Sequence, residues 1–130
     1  MKSLVLLVGF LMISSAYAEV SKIVKRAPAN YLVALRSENQ EVIESAIFYS
    51  VKFKLFYEDQ DCETLRKELR DLSINGKSES IRLKAFLASY FLNSPELLTK
   101  IQKLNYKDSN AFFQMLADTL QEKILADRSE

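Results

Sequence analysis

Apolar positions in this chain recur at intervals of three and four from about residue 30 onward. That period belongs to helices packed on one face, so the pattern predicts an all-α chain. The expected order is a short helix around Asn30–Ser37, a long one around Gln40–Tyr57, then Cys62–Ile74, Glu79–Leu92, Pro95–Leu104 and Asn110–Ala126. Each pair is a shorter, more polar helix followed by a more apolar one. In the second helix Val42, Ile43, Ala46, Ile47, Ser50 and Phe53 form one stripe, while Phe48, Val51 and Leu55 cover another side. In the fourth, Ile81, Ala85, Ala88 and Leu92 share a face that Leu83, Phe86, Leu87 and Phe91 widen. Apolar residues nearly all round mean contact on several sides, so these two are the expected inner helices. The third has only the narrow stripe Leu65, Leu69 and Leu72, with Arg66, Lys67, Glu68, Arg70 and Asp71 facing water. It reads as an outer helix.

The punctuation agrees with this division. Beyond residue 18 the chain has one Gly, Gly76, and two Pro, Pro28 and Pro95, which leaves long stretches free of helix breakers. Ser94-Pro95-Glu96 reads as an N-cap, a Pro at the first helical position and an acid near the positive end of the helix dipole. Asp61 is placed to cap the third helix, and Gly76 to end it in the left-handed conformation. Asn39, Ser78 and either Asp108 or Ser109 are placed to open three more.

Part of the pattern repeats. Asn39, Val42 and Ala46 return 39 residues later as Ser78, Ile81 and Ala85: a capping residue, a β-branched apolar residue three on, and a small Ala four further. A period of this size is the mark of stacked helical pairs. The pattern resembles HEAT-type repeats, and more loosely armadillo-type ones, whose second helix commonly opens with Asp, then Val three residues on, Arg next and Ala three after that. The second copy here reads Ser78, Ile81, Arg82, Ala85, and the first Asn39, Val42, Ile43, Ala46. Ile43 stands where Arg is usual and neither copy has the Asp, so the family's Asp–Arg ladder is only partly present. A third copy, Asp108, Ala111, Phe112 and Met115, keeps the spacing without the residue types. Over roughly residues 30–126 the resemblance implies a short right-handed array of about six antiparallel helices stacked as HEAT-like pairs. An irregular bundle of the same helices is the alternative. A tetratricopeptide array fits less well, since its period is about 34 residues.

The first 18 residues read as a secretory signal peptide: Lys2 as the basic region, Leu4 to Ile13 as the apolar core, and Ala16-Tyr17-Ala18 as a small-residue cleavage site. Spanning a bilayer takes about 20 apolar residues, more than this run supplies. An uncleaved N-terminal anchor is the competing reading. The expected organisation is therefore a signal peptide at 1–18, an N-terminal segment at 19–29, the helical-repeat domain at 30–126 and a tail at 127–130. The mature chain would start at Glu19, exported to the periplasm or secreted, with no stable membrane insertion after cleavage.

Charge and chemistry narrow the function by exclusion. Without Lys2 the chain has 17 basic and 17 acidic side chains with the signs interspersed, which argues against a nucleic-acid footprint. The basic stretch Lys22 to Arg26 is expected to solvate a frayed terminus. There is no His, one Cys and no Gly-rich loop, so the commonest general base, a thiolate metal site and phosphate-binding loops all lack their parts. No cofactor or metal is expected. Cys62 sits among acids, which disfavours a reactive thiolate. Asp59, Asp61 and Glu63 alternate like the first ligands of a calcium loop, but Thr64 stands where Gly is needed and Arg70 where the bidentate Glu belongs. Glu38, Glu41 and Glu44 fit a helix's first turn.

Aromatic residues are the remaining signal. Phe48, Tyr49, Phe53, Phe56 and Tyr57 crowd one helix, more than a thin two-layer array needs to bury. Tyr49, Phe53, Phe56, Tyr57 and, on the next pair, Tyr90 are the candidate partner-binding residues. Core filling is the competing account of the same residues. The expected function is a non-enzymatic module that binds a protein or peptide, self-association included. A carrier of a small apolar ligand, or an envelope-stress protein with a pocket between helices, is the alternative, and a carboxylate enzyme the third.

Overall fold

A computed structural model describes residues 21–101 and 107–129 of the chain. These residues form six helices and no strand, an all-α fold. We number them α1 (residues 21–35), α2 (Gln40–Phe56), α3 (Glu63–Asn75), α4 (Glu79–Leu92), α5 (Pro95–Lys100) and α6 (Ser109–Arg128). The architecture is compatible with a helical-repeat fold.

The N-terminal boundary differs from expectation. Residues 21–29 belong to α1 instead of forming a frayed segment, and Pro28 lies inside the helix. A proline there removes one backbone hydrogen bond. The compensation is packing: Val24, Ala27, Tyr31 and Ala34 recur at helical spacing and lie against the core, with Leu35 fully within it. Lys22, Lys25 and Arg26 stay on the exposed side. The other end shifts too, because α6 runs through Asp127 and Arg128, and Lys123 pairs with Asp127 one turn on at 3.0 Å. The proposed leader and the expected last turn of α5 beyond Ile101 lie outside the described residues.

Helix starts follow the capping residues closely. The Asn39 carboxamide oxygen accepts from the Glu41 N–H at 3.0 Å, and the Ser78 hydroxyl from the Ile81 N–H at 3.1 Å. Asp108 accepts from the N–H groups of Asn110 and Ala111, and Asp61 from that of Glu63 at 2.9 Å. Each satisfies a donor the helix leaves open. Ser94 departs from this. Its side chain makes no capping bond, and its carbonyl alone receives the N–H groups of Leu97 and Leu98.

Gly76 also departs. Its φ of −58° and ψ of 145° are ordinary extended backbone, so no left-handed residue closes α3. Space explains the glycine. A Cβ at position 76 would lie 2.6 Å from the Leu72 carbonyl oxygen and 2.8 Å from Cγ2 of Ile81. Arg82 Nη1 donates to the Gly76 carbonyl at 2.8 Å, which ties the α3–α4 connection to the helix that follows. That is the use found for the arginine at the repeat position.

The core lies around α4, which touches α2, α3, α5 and α6. Ile81, Ala85, Ala88 and Phe91 on α4 and Ile47, Ser50 and Val51 on α2 are sealed from solvent. Burying each Ile or Phe of this set contributes about 1.5–3 kcal/mol. Ser50 satisfies its hydroxyl locally by donating to the Ala46 carbonyl at 2.7 Å. Leu65 and Leu69 dock α3 on this core while its other faces stay wet, as expected of an outer helix.

The sequence echo is only partly an echo of burial. Ala46 and Ala85 are both buried, as are Phe48 and Leu87, and Phe53 and Leu92. Yet Val42 is exposed where Ile81 is sealed, and Tyr49 is exposed where Ala88 is sealed. Leu83 and Phe86, expected to widen the buried face of α4, lie at the surface. The buried arc of α2 starts one residue later after its cap, at Ile43, so the same spacing presents different side chains to the core.

Candidate functional site

The sequence of α2 places Val42, Tyr49 and Phe56 seven residues apart, which is one stripe of a helix. All three are exposed. Tyr31 reaches this stripe from α1. Its ring stacks on Tyr49 with centroids 6.5 Å apart and planes at 11°, and meets the Phe53 edge at 5.9 Å. Tyr57 leans on the other side of Phe53 at 5.1 Å. The rings enclose an open groove of about 370 Å³ lined by Tyr31, Tyr49, Lys52, Phe53, Phe56 and Tyr57.

Roles differ within the groove. Tyr49, Phe56 and Tyr57 are 48%, 45% and 44% exposed and form its walls, whereas Phe53 is 5% exposed and forms its floor. Phe53 is thus a core residue with one edge in the groove rather than a free contact. Lys52 lies over the rings of Phe48 and Tyr49, its Nζ 5.0 and 5.6 Å from their centroids. A cation over aromatic faces holds those rings in place and adds a positive rim. A second groove of about 370 Å³, lined by Ala34, Val42, Ser45 and their neighbours, shares the Tyr31–Tyr49 stack as a common wall.

Three phenols converge here. Burial raises the Tyr31 phenol above its ordinary value, and the nearby Tyr49 and Tyr57 phenols raise it further. Tyr31 therefore stays neutral at physiological pH and keeps its O–H as a donor. Sequence reasoning overlooked this residue. The signal was present in the Val24, Ala27, Tyr31, Ala34 spacing, which puts Tyr31 on the inward side of a helix beginning well before Asn30.

Tyr90 belongs elsewhere. It is half-buried in a separate groove of about 330 Å³ between α3 and α4, beside Phe86 at 6.1 Å and near Arg66 and Arg70. The aromatic candidates therefore fall on two surfaces, with Tyr49, Phe53, Phe56 and Tyr57 together and Tyr90 apart.

Three of the acidic candidates make structural contacts. The N-cap of α3 is Cys62, not Asp61, whose carboxylate accepts from the Glu63 N–H just inside the helix, and Glu63 receives both Nε and Nη2 of Arg66 at 2.8 and 2.6 Å. That bonding to Arg66 lowers the Glu63 carboxyl below its ordinary value. Glu44 accepts from the Ser80 hydroxyl across the α2–α4 contact. Among the described residues no group of three or more His, Cys, Asp or Glu side chains is arranged to hold a metal ion. Cys62 is free and buried, and burial raises its thiol above the usual value, with Lys54 opposing and Asp61 reinforcing the rise. That thiol is protonated and shielded, as its acidic neighbours suggested. No described helix is long and apolar enough to cross a membrane.

Comparison of the chain with protein-family models, curated proteins and solved structures finds no match. The functional reading therefore stands on the site itself.

Proposed function

We propose that the chain is an exported, non-catalytic helical-repeat module that binds a protein or peptide through the α1–α2 aromatic groove. The observation that supports this reading most is the cluster of Tyr49, Phe56 and Tyr57, three aromatic side chains nearly half exposed around a common floor. Tyrosine is favoured at interfaces because its ring is apolar and its hydroxyl still bonds. Phenol hydroxyls beside Lys52 suit a surface that needs both contact area and hydrogen bonds. The HEAT-like resemblance, with helices stacked as antiparallel pairs in a right-handed array, belongs to the same proposal, as do a cleaved leader at residues 1–18 and a periplasmic or secreted location. An extended stack face is how such arrays contact partners. A carrier for a small apolar ligand draws less support, because the groove is open and its apolar rings stay in contact with water.

The test is a pull-down from the extracytoplasmic fraction, run beside sedimentation of the purified protein. The wild type should retain a partner, or itself as a dimer, and Tyr49→Ala with Tyr57→Ala should lose it without loss of helicity. A strict monomer whose captured proteins are unchanged by both substitutions sinks the reading.

A further inference from the structure

The groove between α3 and α4 carries a different chemistry from the aromatic one. Arg66, Arg70 and Ile74 form its α3 wall at one-turn spacing, and Phe86, Tyr90 and Asn93 recur at helical spacing on its α4 wall. No carboxylate lines it. Arg66 is held in place by its two bonds to Glu63. One turn on, the Arg70 guanidinium is exposed and has no hydrogen-bond or ion-pair partner among the described residues. The neighbouring acid Asp71 accepts instead from the Asn75 carboxamide at 2.9 Å. Ile74, beside Arg70 on the α3 wall, and Phe86, across the groove, are large, apolar and exposed. The side chains of Ser89 and Asn93 also lack hydrogen-bond partners among the described residues.

An unneutralised guanidinium beside an exposed apolar strip selects an anion attached to an apolar body. Guanidinium bonds carboxylates through a planar fork, often with two parallel hydrogen bonds. Ile74 and Phe86 provide the surface for a branched or aromatic side chain next to it. The eight steps from Arg66 to Ile74 rise about 12 Å along the helix. An extended segment covers that distance in about four residues. Ser89 and Asn93 line the same groove with polar groups, and a segment's backbone amides need partners that an acyl chain does not. The groove is also open along its length, so an acyl chain laid in it would remain partly in water.

We propose that the α3–α4 groove binds a short acidic and apolar segment of a partner polypeptide, with a carboxylate on Arg70 and an adjacent aromatic or branched side chain on Ile74 and Phe86. This surface is separate from the α1–α2 groove, and its test has its own readout. The probe is a blocked tetrapeptide, acetyl-Phe-Asp-Leu-Asp-amide, titrated into the ¹⁵N-labelled protein while spectra are recorded. Shifts should appear at the Arg70 side-chain N–H and at the amides of residues 86–93. Replacing both acids of the peptide by Asn should weaken binding by at least about tenfold, since one of them meets Arg70 and a lost charged hydrogen bond removes affinity of that order. Arg70→Gln should weaken it similarly while leaving the melting temperature unchanged, because Arg70 supports nothing else through its guanidinium. Phe86→Ala should do so as well.

Four outcomes overturn the proposal. They are equal binding of the acidic and amide peptides, shifts confined to Tyr49 and Tyr57, no shift at about 5 mM peptide, and tighter binding of dodecanoate or of anionic vesicles at the same residues.

Discussion

Lys84 on α4 extends to Glu44 on α2, with Nζ 3.8 Å from the carboxylate oxygen Oε2, while its side chain is only 12% exposed. The same ammonium donates to the Asn110 carboxamide on α6 at 3.1 Å and lies 5.7 Å from the Phe113 ring centroid. Ser80 adds a 2.7 Å bond to the other oxygen of Glu44. The early turns of α2, α4 and α6 are thus linked by one polar line. It cross-links three helices through polar contacts alone.

That line gives the first prediction. Truncating Lys84 removes the cation paired with Glu44 and the donor to Asn110 in a partly screened site, where a lost charged bond costs about 1–3 kcal/mol. Lys84→Ala should lower the urea midpoint accordingly, and Lys84→Met, which keeps the packing on Phe113, should lower it less. An unchanged midpoint in both variants means that the three helices are held by apolar packing alone.

A second prediction uses the 39-residue echo against itself. Ile47 and Phe86 occupy equivalent positions, yet Ile47 is sealed in the core and Phe86 is 47% exposed. Ile47→Ala should cost about 2–5 kcal/mol as a cavity forms. Phe86→Ala should stay within about 1 kcal/mol, as surface changes generally do. Equal losses in denaturant melts would show that burial follows the repeat after all.

This contrast marks how far the sequence could be read. Helix number, type and most starts were legible, because Asn39, Ser78 and Asp108 state their caps locally and few residues break the run. The inner placement of α2 and α4 was legible from their all-round apolarity. Which residue of each turn faces inward was not, since a helix apolar on several sides gives no unique face, and Val42, Leu83 and Phe86 were assigned to the wrong one. The candidate site was half legible for the same reason. Tyr49, Phe56 and Tyr57 announced themselves by crowding, but Tyr31 joins them only through the packing of α1, and Phe53 drops into the floor. The free state of Arg70 depends on where Asp71 turns, and sequence spacing is silent on that.

Gly76 supplies a third prediction, one that separates two reasons for a glycine. At φ −58° an alanine is conformationally comfortable, so any loss must come from contact. The nearest obstacles are a backbone oxygen at 2.6 Å and a branched side chain at 2.8 Å. Gly76→Ala should therefore destabilise by about 1–3 kcal/mol. Asn, which rescues left-handed caps, should do no better here, because it is larger and the backbone is not left-handed. A Gly76→Asn variant more stable than Gly76→Ala in thermal melts would restore the left-handed reading.

The last prediction concerns Tyr31, whose phenol is raised chiefly by burial and then by Tyr49 and Tyr57. A group whose folded value lies above its unfolded one stabilises the fold fully below the unfolded value, and the contribution is lost as pH rises through the folded value. The ordinary phenol titrates near 10.0, so this contribution is complete at neutral pH and declines only in alkali. Two measurements follow. Absorbance at the tyrosinate band should show one phenol ionising later than the rest, and Tyr31→Phe should delete that late step. The same variant should lose less stability than wild type between pH 10 and the alkaline transition, because it has no proton to surrender there. If the late step survives in Tyr31→Phe but vanishes in Tyr57→Phe, the protected phenol belongs to the α2 wall instead of to α1.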